Sequence, residues 1–271
     1  MEKKYSYNQI KDKILDTFEF SISYFNKHSI DYFSAFGTVL GAVRHKGIIP
    51  WDDDVDIYMK RCDFEKLMCL NDDLEKHGYR IEYLHRKGYY LPIAKICNTN
   101  TKMIEDKEFP YAFGIYIDIF ILEGPNDYST LLEFKIQHER CSDNYLRGLR
   151  MINFSDYGIN RLFEFIKRVA VKLLNYRSVE ENRSFLLNTH VKPIPNGEYV
   201  VALGGVTGHG IMKREWFDSY VNLPFESFTI RVPAQYEEYL TFMYGDYMQL
   251  PPEEKRRSHH NRYYINLDEG Y

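Results

Sequence analysis

Three aspartates stand in segments whose pattern is typical of β-strands. Asp54 and Asp56 alternate with apolar residues in the segment 54–59, and Asp118 interrupts the isoleucine-rich segment 114–121. On a strand, residues two apart point to the same face and lie about 6 to 7 Å apart. Two carboxylates about 4 Å apart repel by on the order of 4 kcal/mol at an effective dielectric near 20, so a trio needs protons or a divalent cation. Oxygen ligands on rigid strands favour Mg²⁺, with Mn²⁺ as the second choice, shared with the phosphates of a substrate.

The neighbouring acids have plainer interpretations. Asp52 and Asp53 follow a Pro-Trp corner, where acids are often no more than solvated turn residues. A calcium loop beginning at Asp52 is a further alternative, but Ile57 stands where the sharp-turn glycine belongs and Asp63 where a bidentate glutamate belongs. The alternation with apolar residues therefore favours a metal site built on the strand acids.

The segments before the acids predict a strand, a turn and a helix in that order. Apolar residues at helical spacing predict an amphipathic helix over 9–29, and a short strand follows at 31–36. Gly37 and Thr38 then precede a short helix over 39–44, which Thr38 is predicted to cap. The backbone N–H groups of such a helix start form an anion site. Strand, Gly-polar turn, helix and acid-x-acid strand is the motif order of the nucleotidyltransferase superfold.

The remaining pattern predicts an α+β fold, a nucleotidyltransferase-like mixed β-sheet with flanking helices and a helical insertion. We expect a helix over 62–76, strands over 79–84, 90–97, 102–105 and 114–121, a helical region over 127–190, strands over 198–203 and 225–232, and a helix over 234–244. Three units are predicted, namely a catalytic core over 1–125, a helical region over 126–195, and a C-terminal part over 196–271 that completes the active site.

One segment of the helical region separates apolar from basic residues at helical spacing. Its apolar residues are expected to pack beside the sheet, and its polar side carries Arg161, Lys167, Arg168 and Lys172. A solvated face of a packed helix is favoured over contact with a membrane surface, because the chain as a whole is acidic.

Composition narrows the classes of partner. A net charge of -4 and a pI near 6.2 remove the broad attraction that nucleic acids exert, so no nucleic-acid partner is expected. Four cysteines without C-x-x-C spacing indicate reduced thiols rather than a zinc site. The charged amino terminus lacks the apolar core of a signal peptide, and no segment reaches membrane-spanning length. These features predict a cytoplasmic protein, with peripheral association at the inner membrane face as the alternative.

Residues 36–57, FGTVLGAVRHKGIIPWDDDVDI, closely resemble the LicD family of phosphotransferases, which also looks related to fukutin-type proteins. Later blocks at 95–101, 116–120 and 244–252 resemble the same family. The resemblance implies a nucleotidyltransferase-like fold and transfer of phosphocholine from CDP-choline to a sugar of lipopolysaccharide or teichoic acid. It also implies that the acceptor is a glycan or lipid-linked saccharide, and some relatives look specific for other CDP-activated alditol phosphates.

The resemblance implies that Asp54 and Asp56 hold the metal and that Asp118 is the third acid. Our hypothesis for the mechanism is that Asp118 also binds the metal and draws the proton from the acceptor hydroxyl. Four further residues are candidates to meet phosphate charge beside the Gly37-Thr38 turn: Arg44, Lys95, Arg256 and His259. Each has a plain alternative, since Arg44 could complement a helix dipole and Lys95 could face solvent on an edge strand. Two aromatic residues, Trp51 and Tyr58, are candidates to face a quaternary ammonium, with core packing as the alternative.

Three other functions remain open from the residues alone. A glycosyltransferase with an acid-x-acid motif would use a nucleotide sugar, although its acid pair would be expected later in the chain. A nucleotidyltransferase acting on a small molecule would keep the fold and release pyrophosphate. A binding protein merely stabilised by a divalent ion would need the same acids for stability alone.

Overall fold

The computed structural model describes residues 5–152, 161–204, 210–258 and 262–271. Its helices are α1 (Tyr7–His28), α2 (Phe36–Arg44), α3 (Arg61–Cys69), α4 (Asn71–Lys76), α5 (Tyr128–Leu149), α6 (Leu162–Tyr176), α7 (Val179–Asn188) and α8 (Tyr236–Tyr244). The helices predicted over 9–29 and 234–244 are confirmed. The one predicted over 62–76 is divided at Leu70 into α3 and α4.

The strands form one large mixed sheet and two small pairs. They are β1 (Phe33–Ser34), β2 (Asp56–Lys60), β3 (Tyr79–Glu82), β4 (Ala94–Asn98), β5 (Lys102–Ile104), β6 (Tyr116–Asn126), β7 (Tyr199–Ala202), β8 (Ile211–Lys213), β9 (Tyr220–Phe225), β10 (Phe228–Pro233) and β11 (Tyr264–Asn266). Within the described ranges the main sheet has seven strands in the order β1-β2-β6-β4-β3, and β7 and β8 extend it from β6. Among the described strands of this sheet, β2 and β6 are the one parallel pair of neighbours. The predicted α+β fold with a mixed sheet and flanking helices is thereby confirmed.

Strand β6 lies at the centre of this sheet. Its first half pairs with β2 on one side and β4 on the other, and its end pairs with β7. Both of its faces are buried, one through Ile117, Ile119 and Ile121 and the other through Asp118 and Phe120. A strand covered on both faces is apolar almost throughout. The carboxylate of Asp118 therefore sits where an unpartnered charge would be costly.

Helix α1 and the C-terminal hairpin close one end of the core. Ser6 caps α1 through a reciprocal capping box with Gln9. The buried ring of Phe18 makes edge contacts with Phe225 and Phe228 of the β9–β10 hairpin. This packing fixes the hairpin, and with it the chain that leads into α8.

The junction between β1 and α2 differs from its prediction. Only residues 33–34 of the predicted strand 31–36 pair in the sheet, and α2 begins at Phe36 rather than after Thr38. Ala35 occupies the cap position without a side-chain hydrogen bond, so the predicted capping by Thr38 is wrong. Thr38 lies in the first turn of α2 and is buried.

The predicted packing of the helical region holds only in part. Helices α5 and α7 each bury apolar residues, but α6 buries none of its fifteen residues. The expectation that the apolar side of 161–174 packs beside the sheet is therefore wrong. Within the described residues, no helix is both long and apolar enough to cross a bilayer.

Candidate active site

The strand register brings three charged residues into one row. Asp56 on β2 is paired with Asp118 on β6, and Asp118 is paired in turn with Lys95 on β4. Directly paired residues point to the same face of a sheet. The three side chains therefore meet on one face although they come from segments separated by up to 62 residues of chain.

The predicted acid cluster is present. Asp54, Asp56 and Asp118 each offer a carboxylate oxygen, and these oxygens lie within 4.8 Å of one another. Burial and the neighbouring charges of Asp54 and Asp118 raise the pKa of Asp56 well above its ordinary value. Burial also raises the pKa of Asp118 to about 6, although the ammonium of Lys95 opposes the rise. A divalent cation bound here would remove the repulsion that raises these pKa values.

Two acids interpreted as turn residues belong to the same region. Asp52, Asp53 and Asp54 also place carboxylate oxygens within 4.8 Å of one another. Asp53 is only 4% exposed, accepts a hydrogen bond from Ser258 at 2.6 Å, and pairs with Arg262 at 2.9 Å, so its interpretation as a solvated residue is wrong.

Asp52 extends the acidic region toward α2. Burial and the charge of Asp54 raise the pKa of the Asp52 carboxyl to about 8. Sequence reasoning missed Asp52 because the acids 52 and 53 precede the apolar alternation. The run of three consecutive acids was the available signal.

Gly37 and Thr38 lie against the acids, and neither residue caps the helix. The backbone N–H of Asp56 donates a hydrogen bond to the hydroxyl of Thr38 at 2.9 Å. A Cβ on Gly37 would lie 2.5 Å from a carboxylate oxygen of Asp52, so glycine leaves the room in which that carboxyl sits. Phe36, just before, has a left-handed backbone with φ 40°, held by a hydrogen bond from its N–H to the hydroxyl of Tyr239. Such strain in a residue other than glycine is typical of functional sites.

Lys95 is an internal partner of the acid cluster. It is 1% exposed on a strand flanked by β3 and β6, so its interpretation as a solvent-facing edge residue is wrong. Its Nζ donates to Asp118 Oδ1 at 2.7 Å and lies 3.6 Å from Glu105 Oε1. Burial alone would lower the pKa of Lys95, but Asp118 and Glu105 outweigh it and raise that pKa. Glu105 is a further acid that the sequence pattern did not single out.

A cleft of about 590 Å³ opens above the acids. Residues from the start of the chain and from its C-terminal part line it together: Gly37, Leu40, Arg44, Ile49, Trp51, Asp52, Asp54, Asp56, Tyr244, Asp246, Tyr247, Gln249, Leu250, Pro251 and Pro252. Lys95 does not line the cleft. Asp54 and Asp56 form part of the cleft wall. Asp118 does not line the cleft and is 4% exposed.

One guanidinium group, that of Arg44, lines the cleft, and a second contacts a residue of its wall. Arg44 donates hydrogen bonds to the backbone oxygens of Tyr247 and Gln249, at 2.9 and 3.3 Å. Arg256 lies over the ring of Trp51, 5.5 Å from its centroid. Burial lowers the pKa of Arg44, and the nearby charge of Arg256 lowers it further. In the described part of the chain neither arginine forms an ion pair with a carboxylate, so both charges are available to an anionic ligand.

The remaining predicted residues divide between the cleft, the core and the undescribed chain. Trp51 lines the cleft as proposed for an aromatic contact. Tyr58 is fully buried and shares a hydrogen bond with Tyr239, so the core alternative applies to it. His259 lies outside the described residues.

The residues present fit a divalent cation. The donor set consists of carboxylate oxygens only, which are the ligands that Mg²⁺ prefers. Burial, together with the charge of neighbouring acids, raises the pKa values of Asp52, Asp56 and Asp118, and a bound cation would favour their ionised forms. The arrangement can therefore hold a metal ion beside a cleft that also offers the guanidinium of Arg44 to a phosphate group.

The mixed sheet and its row of acids define an α+β domain with a cluster of carboxylates beside a cleft. Residues 29–161 match the family model described as "LicD/FKTN/FKRP, nucleotidyltransferase domain". This part of the chain therefore matches the LicD family, and the resemblance seen in the motifs is confirmed.

Similarity to individual proteins extends over more of the chain. The chain is 29% identical over 243 residues to the lipopolysaccharide cholinephosphotransferase LicD of Haemophilus influenzae. This match covers 86% of the chain and 88% of the relative. A shorter match of 46% identity over 57 residues covers 21% of this chain and 21% of an uncharacterized protein of Rickettsia prowazekii. A third, of 43% identity over 65 residues, covers 24% of this chain and 20% of an uncharacterized protein of Rickettsia typhi.

Proposed function

We propose that this chain transfers phosphocholine, or a related alditol phosphate, from a CDP-activated donor to a sugar hydroxyl of a surface glycan or its lipid-linked precursor. The observation that carries the proposal is the cluster of Asp54, Asp56 and Asp118 beside a cleft that also contains Arg44. The name of the Haemophilus influenzae relative supports choline as the head group and lipopolysaccharide as the acceptor.

In this proposal Asp54, Asp56 and Asp118 hold Mg²⁺ or Mn²⁺, which when bound neutralises charge on the donor phosphates. The side chains of Arg44 and Arg256 meet the remaining negative charge of the phosphates. Phosphoryl transfer of this kind depends mainly on positioning and on charge neutralisation. No covalent protein intermediate is required.

Asp118 is the proposed base for the acceptor hydroxyl. Its Oδ1 accepts the hydrogen bond from Lys95, which leaves Oδ2 as the atom that receives the proton. Burial raises the pKa of this carboxyl above its ordinary value, which favours uptake of a proton. Lys95 thus orients the base rather than touching the donor.

The aromatic wall supports a cationic head group. Trp51, Tyr244 and Tyr247 line the cleft together with the carboxylate of Asp246. Aromatic faces attract a quaternary ammonium through the ring quadrupole, and a nearby carboxylate adds a full opposite charge. Glycerol and ribitol carry no such charge, so this wall favours choline among the CDP-activated donors.

The test is CMP release from CDP-choline, CDP-glycerol and CDP-ribitol with a crude glycan acceptor, in Mg²⁺, in Mn²⁺ and in EDTA. We expect metal-dependent release that is greatest with CDP-choline and is abolished by Asp56→Asn. Asp72→Asn, which changes an exposed acid at the start of α4, is the matched control and should leave the rate unchanged.

Three outcomes would overturn the proposal. Release of UDP from nucleotide sugars, with silence on every CDP donor, would indicate a glycosyltransferase. Pyrophosphate release from nucleoside triphosphates would indicate a nucleotidyltransferase. Loss of thermal stability in Asp118→Asn without loss of turnover would leave the acids as a structural ion site.

A further inference from the structure

Helix α6 exposes an apolar stripe. Phe163 is 80% exposed and Leu174 is 79% exposed, and four more large apolar side chains of the helix are also exposed: Leu162, Ile166, Leu173 and Tyr176. At about 100° per residue, all of these except Tyr176 fall within an arc of about 120° on the helix surface. Soluble monomers rarely leave a contiguous apolar surface of this kind uncovered.

The stripe is distinct from the side of α6 that contacts the rest of the protein. Phe165 and Val169 are half-buried and α6 packs on α5. By helix geometry the two residues lie beside the exposed arc rather than within it. The helix therefore has one seam that attaches it to the protein and a second apolar face that no described residue covers.

Basic side chains lie on the polar side of the same helix, where Lys167 is next to the stripe and Arg161 and Arg168 are on the opposite face. A cavity of about 430 Å³ between the end of α5 and α6 is lined by five cations and one acid: Arg147, Arg150, Arg161, Lys167, Arg168 and Glu164. Four of these cations form ion pairs, with Asp143, Glu108 or Glu164. Lys167 lies at the border between this cavity and the apolar arc, and among the described residues it forms no ion pair. Lys172 and Arg177 add two more cations at the end of α6.

We propose that α6 is a membrane-docking helix that lies in the headgroup region of an anionic phospholipid bilayer. Its apolar stripe enters the boundary of the acyl chains, and the basic cavity and Lys167 face the lipid phosphates. An exposed apolar face on a helix whose polar side carries cations is the combination that binds such surfaces, since burial of apolar area and attraction to anionic lipids add.

The charge argues against a second copy of the chain as the occupant. A symmetric dimer would bring the same patch of both subunits together, and the cations beside the stripe would then face cations. An anionic lipid surface has the opposite charge and meets both parts of the patch. The inference does not rest on the proposed reaction, although docking here would hold the enzyme at a lipid-linked acceptor.

The experiment is vesicle flotation of the full chain with phosphatidylcholine alone and with phosphatidylcholine mixed with phosphatidylglycerol. We expect binding to the anionic vesicles only, weakened by salt. The double variant Phe163→Ser with Leu174→Ser should weaken it by about tenfold or more, because two apolar side chains no longer enter the bilayer. Lys167→Glu should weaken it less and should reduce its salt dependence.

Ile136→Ser is the matched control. Ile136 is also exposed, but it lies twelve residues before Gly148 on α5, about 18 Å along the helix axis from the end that α6 packs on. This variant should bind vesicles as the unchanged chain does. Circular dichroism and CMP release from a soluble donor show that each variant is folded and whether the proposed reaction stands independently.

Three results would overturn the inference. These are absence of binding to anionic vesicles, binding that the Phe163→Ser and Leu174→Ser changes leave intact, and a concentration-dependent dimer that those changes dissociate without lipid. Failure of CMP release with normal vesicle binding would count against the proposed reaction and leave the docking helix in place.

Discussion

Replacing Lys95 with methionine tests the buried charge network beneath the acids. Methionine keeps most of the volume of the side chain and removes the ammonium that lies 2.7 Å from Asp118 and 3.6 Å from Glu105. At an effective dielectric near 20 these distances correspond to gross attractions of about 6 and about 5 kcal/mol. Removing the ammonium also removes its burial cost, which offsets part of the lost attraction. We therefore expect the free energy of unfolding to fall by about 3 to 5 kcal/mol, as when other buried pairs are broken.

The loss should depend on pH because the carboxyls left behind can take up protons. The pKa of Asp118 is about 6, above its ordinary value, so the folded chain binds this proton more tightly than the unfolded chain does. The contribution of Asp118 to stability therefore falls as pH rises from about 4 to about 6. Without Lys95 that pKa moves higher, and the fall continues toward pH 8. The stability of the variant should be closer to that of the unchanged chain at pH 5 than at pH 8.

The assay is urea unfolding at pH 5 and pH 8 in EDTA, with thermal unfolding as a second measure. At about 2 to 4 °C per kcal/mol, the melting temperature at pH 8 should fall by on the order of 10 °C. The control is Lys102→Met, which removes an ammonium paired with Glu269 at the surface and should cost at most about 1 kcal/mol. A loss below about 1 kcal/mol at pH 8, or an equal loss at both pH values, would refute the reasoning.

The other predictions concern the metal and the turn. Mg²⁺ should raise the melting temperature more at pH 8 than at pH 5, because the raised pKa values of Asp52, Asp56 and Asp118 make protons compete with the ion; an equal rise at both pH values, or one that persists in Asp56→Asn, would contradict the metal site. Gly37→Ala should lower kcat/KM for CMP release by about tenfold to a hundredfold, since its Cβ displaces the Asp52 carboxyl. Its unfolding midpoint should change little, and a large loss of stability with normal kinetics would show that the space serves folding alone.

Much of the fold could be predicted because its elements have strong local patterns. The amphipathic spacing of 9–29 and the alternation in 54–59 determine which faces are buried, and both elements formed near their predicted bounds. The start of α2 could not be predicted in this way. Its first residue, Phe36, adopts a left-handed backbone that a distant hydroxyl, on Tyr239, holds in place. The local rule that a threonine caps the following helix failed there, because the Thr38 hydroxyl accepts from β2 instead.

The amino-acid sequence by itself determined the acids of the site, namely Asp56 and Asp118 on their strands and Asp54 just before β2. Residue type and periodicity are local properties, and they are enough to place a carboxylate on one face of a strand. Only the tertiary structure decided that Lys95 is buried against Asp118, that Asp53 is an internal ion-pair partner, and that α6 leaves its apolar face exposed. Those outcomes depend on strand register and on what packs against each surface, which are contacts between residues far apart in the chain.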